Sequence, residues 1–200
     1  MPDTLTPEQR RTLLEVARAS IAFGLEHGRP LPARAEDCEP ALREIRGTFV
    51  TLQLDGALRG CIGSLEAHQP LVEDVAQHAF EAAYRDPRFP PVSALEAPRL
   101  ELHISVLSPN EPLSICDEAD LLRQVRPCID GLIIAQGRRR ATFLPSVWES
   151  LPEPAHFLAH LKRKAGIPPG PSDEPLRAWR YTTESFTDEG PQAGPPCCTS

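Results

Sequence analysis

The sequence predicts an α+β fold in which helices flank a mainly antiparallel sheet. Three observations carry this reading. Long stretches place apolar residues at helical spacing between recognisable caps, alternating segments meet at tight turns as hairpins, and no regular strand–helix–strand rhythm of the kind a parallel sheet requires is present.

The first helix is expected over about 7–27. Thr6 followed by Pro7 and Gln9 has the form of a capping box with proline at the first helical position, and Leu13, Leu14, Ala17, Ile21 and Leu25 recur on one face. Gly28 and the "RPLP" after it stop the helix, and a loop with Cys38 and Pro40 leads through a short "ALREI" turn to a hairpin. There "TFVTLQL", Asp55-Gly56 and "ALRGCIG" read as strand, turn and strand, because Asp-Gly tolerates the positive φ angles of a primed turn. Simple alternation puts Leu58 and Ile62 on one side of the second strand and Arg59 with Cys61 on the other, roughly 7 Å apart along the chain.

Pro70 opens a second helix that ends near Tyr84, with Leu71, Val75, Ala79 and Ala82 or Ala83 facing a core. The prolines of "RDPRFPPVS" remove donors and bias their predecessors toward extended geometry, which makes that segment a fixed loop. In "LELHISVL", Leu100, Leu102, Ile104 and Val106 alternate with Glu101, His103 and Ser105, the pattern of a half-buried strand with one polar face. A short helix over about 117–125, a hairpin in "DGLIIAQGRRRATF" and the helical pair "PSVWESL" and "PAHFLAHLKRKAG" follow. The last alternating run, "AWRYTTESF", is expected to return a strand to the sheet. A smaller lobe is expected over about 108–150, and a disordered Pro/Gly-rich tail over 188–200.

Two hundred residues with 40% hydrophobic content are enough for a real core in one domain or one domain with a small lobe. The net charge of -7 sets the overall field against nucleic acid, and "GRRR" at 137–140 reads as a solvated hairpin tip. No stretch reaches the length of apolar chain that spans a membrane, and "MPDTLTPEQRR" has no apolar core of a secretion signal, so a cytoplasmic protein is expected. In that reducing compartment the six cysteines are expected as thiols rather than disulfides, and no C-x-x-C pair suggests a structural zinc. Neither a metal nor a cofactor is expected.

Four groups of residues can carry chemistry. Arg59-Gly60-Cys61 sets a cation near a thiol, which favours the nucleophilic thiolate, and the glycines let another backbone or a ligand approach; alternatively Cys61 fills space and the glycines mark a β-bulge. On the strand at 101–105, Glu101 can orient His103 as a general base for Cys61 if the two strands adjoin, with Ser105 on the same face; otherwise these residues are a solvated sheet surface. His156 and His160 lie four apart on one helix face, but no third ligand accompanies them. Asp86, Arg88 and Phe89 either line a pocket from their stiffened loop or cap the end of the second helix.

Taken together, "LRGCIGSLE", "AFEAAYRDPRFPPVS", "LELHISVLSP" and "ATFLPSVWESLPEPAHFLAHLKRKAG" resemble the AMMECR-type domain family, known in bacteria as AmmeMemoRadiSam system protein A, over roughly residues 8–187. The resemblance implies an α+β fold of a larger and a smaller subdomain, with the signature residues near a cleft between them. Its motifs fall on Leu58, Arg59, Gly60, Cys61, Ile62 and Gly63, on Asp86, Arg88 and Phe89, and on Leu144, Pro145 and Val147. Where this chain has His103, many members carry a glutamate. The resemblance also implies association with Memo-like and radical SAM partner proteins, and the three-cysteine cluster motif of the latter has no counterpart in this chain. From these readings, a small anionic or amino-acid-like substrate is expected, with Cys61, Arg59, His103 and Glu101 in catalytic roles and Gly60, Gly63, Asp86 and Arg88 binding it. The alternative from a different class is a non-catalytic adaptor that docks partner proteins through the LRGCIG region.

Overall fold

A computed structural model of the chain describes residues 4–66, 68–168, 174–188 and 190–191. The chain forms two compact units, one within 1–107 and 184–192 and the other within 108–183. Cys197, Cys198 and most of the expected tail lie outside the described residues.

The first unit begins with helix α1, Pro7–His27. Its capping box is formed in both directions: Thr6 Oγ1 accepts from the Gln9 amide and the Gln9 side chain accepts from the Thr6 amide. Gly28 closes the helix in the left-handed region at φ 66°, where the absence of a Cβ removes the steric cost. After the short helix α2, Pro40–Arg43, strands β1, Thr48–Leu54, and β2, Ala57–Gly63, form the hairpin. Asp55 and Gly56 both take positive φ, 53° and 76°, as a primed turn demands. Helix α3, Leu71–Tyr84, and strand β3, Glu101–Leu107, complete the part of this unit that precedes the second one.

A segment that follows the second unit in sequence extends the sheet beyond β3. Strand β8, Thr183–Thr187, lies beside β3 and carries the two-residue strand β9, Gly190–Pro191, at its outer edge, for an order of β2-β1-β3-β8-β9. Val50, Leu52, Leu102, Ile104 and Phe186 form the buried face, against which Leu13, Ala17 and Ile21 of α1 and Val72, Val75 and Ala79 of α3 pack. Leu13, Ala17, Ile21, Val75, Ala79, Leu102 and Ile104 are residues that the helical and alternating periods single out, whereas Leu25, expected on the same face of α1, is 39% exposed. Burial of this cluster supplies the main drive to fold the unit.

The second unit has its own sheet, built from β4, Glu111–Leu113, β5, Gly131–Gln136, β6, Arg139–Phe143, and β7, Arg177–Tyr181, in the order β4-β7-β5-β6. Helix α4, Glu118–Gln124, starts at Asp117, whose side chain accepts from the Asp120 amide. Helix α5, Pro154–Ala165, presents Phe157, Leu158 and Leu161 to the core formed with Leu121, Leu132, Ile134 and Ala178. Trp148 stacks flat on Phe157 at 3.7 Å between ring centroids and donates its indole N–H to the Asp130 carbonyl at 2.7 Å.

The expected helical segment "PSVWESL" forms as a 3-10 helix, Pro145–Glu149. One expectation is corrected. "AWRYTTESF" is not one strand: it breaks at Thr182, with β7 in the second sheet and β8 in the first. The alternating sequence itself carries no mark of the change of sheet.

Candidate functional site

The signature strand β2 owes its shape to one extra residue. Leu52 pairs with Gly60 while its neighbour Gln53 pairs with Leu58, so Arg59 has no partner on β1 and forms a β-bulge. The bulge resets the alternation. Gly60 and Ile62 lie opposite the buried Leu52 and Val50, whereas Leu58 and Cys61 share the other face with Gln53 and Thr51. The expectation that Arg59 and Cys61 share a face, with Leu58 beside Ile62, therefore does not hold.

Arg59 is instead buried, at 8% exposure, and spent on structure. Its Nε donates to Glu96 Oε1 at 2.9 Å and its Nη1 to the Pro90 carbonyl at 2.8 Å, with longer bonds from Nη2 to Glu96 and Pro91. It fastens the proline loop to the strand. Glu96 also accepts from the Ser93 amide and hydroxyl. The Arg59 bond first, and then these two, hold its carboxyl down to about 2.

The glycines serve packing. A Cβ at Gly60 would overlap the Ala82 carbonyl of α3, and one at Gly63 would run into the Phe49 ring and the Thr48 carbonyl. Of the two approaches those glycines allow, that of another part of the chain is the one present; on the Cβ side neither opens to a ligand.

Cys61 is half-buried, and its sulfur accepts from Thr51 Oγ1 at 3.2 Å on the neighbouring strand. Its backbone is tied to the loop after α3. Asp86, buried at 4% exposure, accepts the Cys61 amide at 2.9 Å and the Arg88 amide at 3.1 Å. The same carboxylate takes a two-pronged bond from Arg88, with Nε at 2.9 Å and Nη2 at 2.6 Å. Hydrogen bonding from the Arg88 guanidinium, supported by the two amides, holds the Asp86 carboxyl well below the usual carboxylate range even though burial opposes this. Arg88 Nη2 also donates to the Cys61 carbonyl at 3.2 Å.

The cation beside the thiol is thus Arg88 rather than Arg59. Its pKa is raised above the ordinary value, chiefly by the bond to Asp86 and in smaller part by the Cys61 sulfur nearby. Its side chain is about half exposed, and Nη1 makes no hydrogen bond among the described residues. Phe89 lies under the same guanidinium, 5.4 Å from carbon to ring centroid.

His103 is on the right face but a strand too far. Thr51 pairs with Cys61 on one side and with His103 on the other, which separates the two backbones by two strand spacings, about 10 Å. A general base needs hydrogen-bond reach of its proton, so His103 does not serve Cys61 directly in this arrangement. Glu101 is exposed and pairs with Gln53, one row further along, and Ser105 hydrogen-bonds Ser185 at 2.8 Å. His156 and His160 are both exposed on α5, and no group of three or more His, Cys, Asp or Glu side chains among the described residues is arranged to hold a metal ion.

Sequence reasoning missed Thr51 and Glu96, which touch Cys61 and Arg59 from other elements. It also missed a buried cluster between β1 and α3. Thr48 Oγ1 donates to Asp74 Oδ2 at 2.6 Å and lies 3.0 Å from His78 Nδ1, while Gln69 donates to Asp74 Oδ1. The i,i+4 spacing of Asp74 and His78 on a helix was the only available signal.

A two-unit α+β protein, with a half-buried thiol on a bulged signature strand braced by an aspartate–arginine pair from the following loop, is the class that these features define. The chain belongs to the AMMECR1 family, whose model matches residues 14–186. It is 36% identical to a protein of Methanothermobacter thermautotrophicus over 93% of this chain and 97% of that one. It is 38% identical to a protein of Thermococcus gammatolerans over 90% of each. The crystal structure of protein PH0010 from Pyrococcus horikoshii is similar at a TM-score of 0.72 and 35% identity, covering 92% of both chains.

Proposed function

We propose that the protein is an enzyme or enzyme component that acts on a small anionic or amino-acid-like substrate at the Cys61 face of the first sheet. Cys61 Sγ serves as nucleophile or as proton donor and acceptor, and Arg88 holds the anionic group of the substrate. The observation that supports this best is a guanidinium locked in place by Asp86, with Nη1 left over, beside a half-buried sulfur. A fixed cation loses little freedom when an anion binds, which is what positions a substrate against a nearby nucleophile. In this reading Arg59, Gly60, Gly63 and Asp86 are positioning residues, and His103 and Glu101 flank the site.

The protein works in the cytoplasm with Memo-like and radical SAM partner proteins, and any radical step belongs to the partners. Among the described residues, no helix is long and apolar enough to cross a membrane. One observation favours an adaptor as the second reading: the bulge turns Leu58, 44% exposed, onto the Cys61 face, where an apolar side chain suits a protein partner.

Alkylation distinguishes the readings. The ratio of iodoacetate to iodoacetamide rates at Cys61, read by peptide mapping at one pH, cancels the thiolate fraction and reports anion capture alone. It is expected to exceed the ratio for N-acetylcysteine amide severalfold and to fall to that level in Arg88→Gln. Equal ratios in the wild-type protein would remove the anion-binding role. In cells, Cys61→Ser should reproduce the metabolite changes of a deletion while partner complexes persist; loss of the complexes instead would favour the adaptor.

A further inference from the structure

The geometry points to a second binding site, at the Ala135 row of the second unit's sheet on the face turned away from its core cluster, for a nucleoside phosphate. Ala135 of β5 lies opposite Arg140 of β6 on one side and Arg177 of β7 on the other. Two residues along, Ile133 lies between Thr142 and Trp179. These rows share one face, because strand side chains alternate, and it is the face opposite to Leu132, Ile134 and Ala178 in the core. A small residue between two arginines leaves a hollow. Its volume is about 440 Å³, and Asn110, Arg138 and Trp179 complete its walls with Ala135, Arg140 and Arg177.

Charge and shape select the ligand class. Three guanidiniums surround the hollow, and the Glu174 carboxylate at Gly137 on the hairpin tip offsets one of them. Neither Arg138 nor Arg177 has a carboxylate partner among the described residues. An excess of two positive charges among the described residues, in a protein of net charge -7, is a local feature that suits a compact polyanion better than a long one, which the overall field would repel. Arginine forks match phosphate oxygens two at a time. The half-buried indole of Trp179, with the Arg177 guanidinium 5.6 Å from its ring centroid, adds a planar apolar and cationic surface that a bare phosphate would not use but a base would. The hollow has the size of small-ligand pockets, which run from roughly 300 to 1,000 Å³.

The two tryptophans make the test direct. Trp148 is 1% exposed and stacked inside the core, so added solute reaches Trp179 alone. ADP titrated into the whole protein is expected to change tryptophan emission saturably, with half-saturation below millimolar and weakening as salt rises. Arg140→Gln and Arg177→Gln should each raise the half-saturating concentration about tenfold. Arg139→Gln, the same change of charge one residue away on the other face, should leave it unaltered. The assignment is overturned by the absence of saturation, by insensitivity to both arginine variants, or by adenosine binding as well as ADP. It is also overturned if pyrophosphate displaces ADP at equal concentration, which would mean a simple polyanion site, or if a single-stranded oligonucleotide binds far more tightly than ADP.

Discussion

Replacing Gly60 by alanine tests whether the signature strand is pressed onto α3. The added Cβ would overlap the Ala82 carbonyl oxygen and lie 3.0 Å from its carbon, and neither atom belongs to a flexible side-chain end. Ala82 is itself buried and its carbonyl is part of the helix backbone, so relief requires the strand to retreat by about 1 Å. A gap of that size forfeits a quarter to a half of the dispersion energy of the facing atoms, and insertion of a methyl into packed surroundings costs about 1–3 kcal/mol. The rigid partner puts Gly60→Ala at the upper end, about 3 kcal/mol. For a chain of this length that is a fall in melting temperature of about 6–12 °C, followed by circular dichroism, with a lower urea midpoint at unchanged slope. A loss under about 0.5 kcal/mol would show that β2 does not bear on the helix, since substitutions away from such contacts fall in that range.

Other outcomes follow from the same contacts. Arg59→Gln should lower the melting temperature and open the 85–93 loop to limited proteolysis, yet leave the iodoacetate preference of Cys61 unchanged; loss of that preference would return Arg59 to the site. Glu96, held down to about 2 in the folded protein, contributes stability that is present above its unfolded value near 4.5 and lost as pH falls toward 2. Glu96→Gln should therefore flatten the dependence of stability on pH in that window by less than one proton, as measured by urea unfolding at each pH. Asp86 acts in the same direction and to lower pH, so Asp86→Asn should flatten the acid limb further and free the Cys61 amide for hydrogen exchange. Trp148→Phe, which leaves the Asp130 carbonyl without its indole donor, should cost about 2–3 kcal/mol in the second unit, read from exchange of the β5 amides.

Much of the fold was legible because local chemistry and long-range packing agree in it. The Thr6–Gln9 capping box, the Asp55-Gly56 turn and the alternation of Leu100 to Val106 each name a structure that needs no distant partner to be recognised. The bulge at Arg59 was not legible, because a strand with one extra residue reads the same as one without it until its partner's register is known. The switch of sheets at Thr182 hides for the same reason. At the candidate site, the sequence pairs the thiol with Arg59, whereas the structure sets Arg88 beside it. Arg59 is two residues from Cys61 in sequence, whereas Arg88 reaches it through Asp86, whose bond to the Cys61 amide spans 25 positions. The buried Thr48, Asp74 and His78 cluster likewise depends on one side chain from a strand and two from a helix.

The late arrival of β8 has a consequence during synthesis. The outer edge of β3 acquires its neighbour only after some seventy-five further residues have been made, so the growing chain leaves the ribosome with a bare row of amides and carbonyls along 101–107. Such an edge invites pairing with a sister polypeptide. Truncation before residue 183 should therefore yield aggregates rather than a soluble amino-terminal fragment, and the last few residues of the sheet act as its cover.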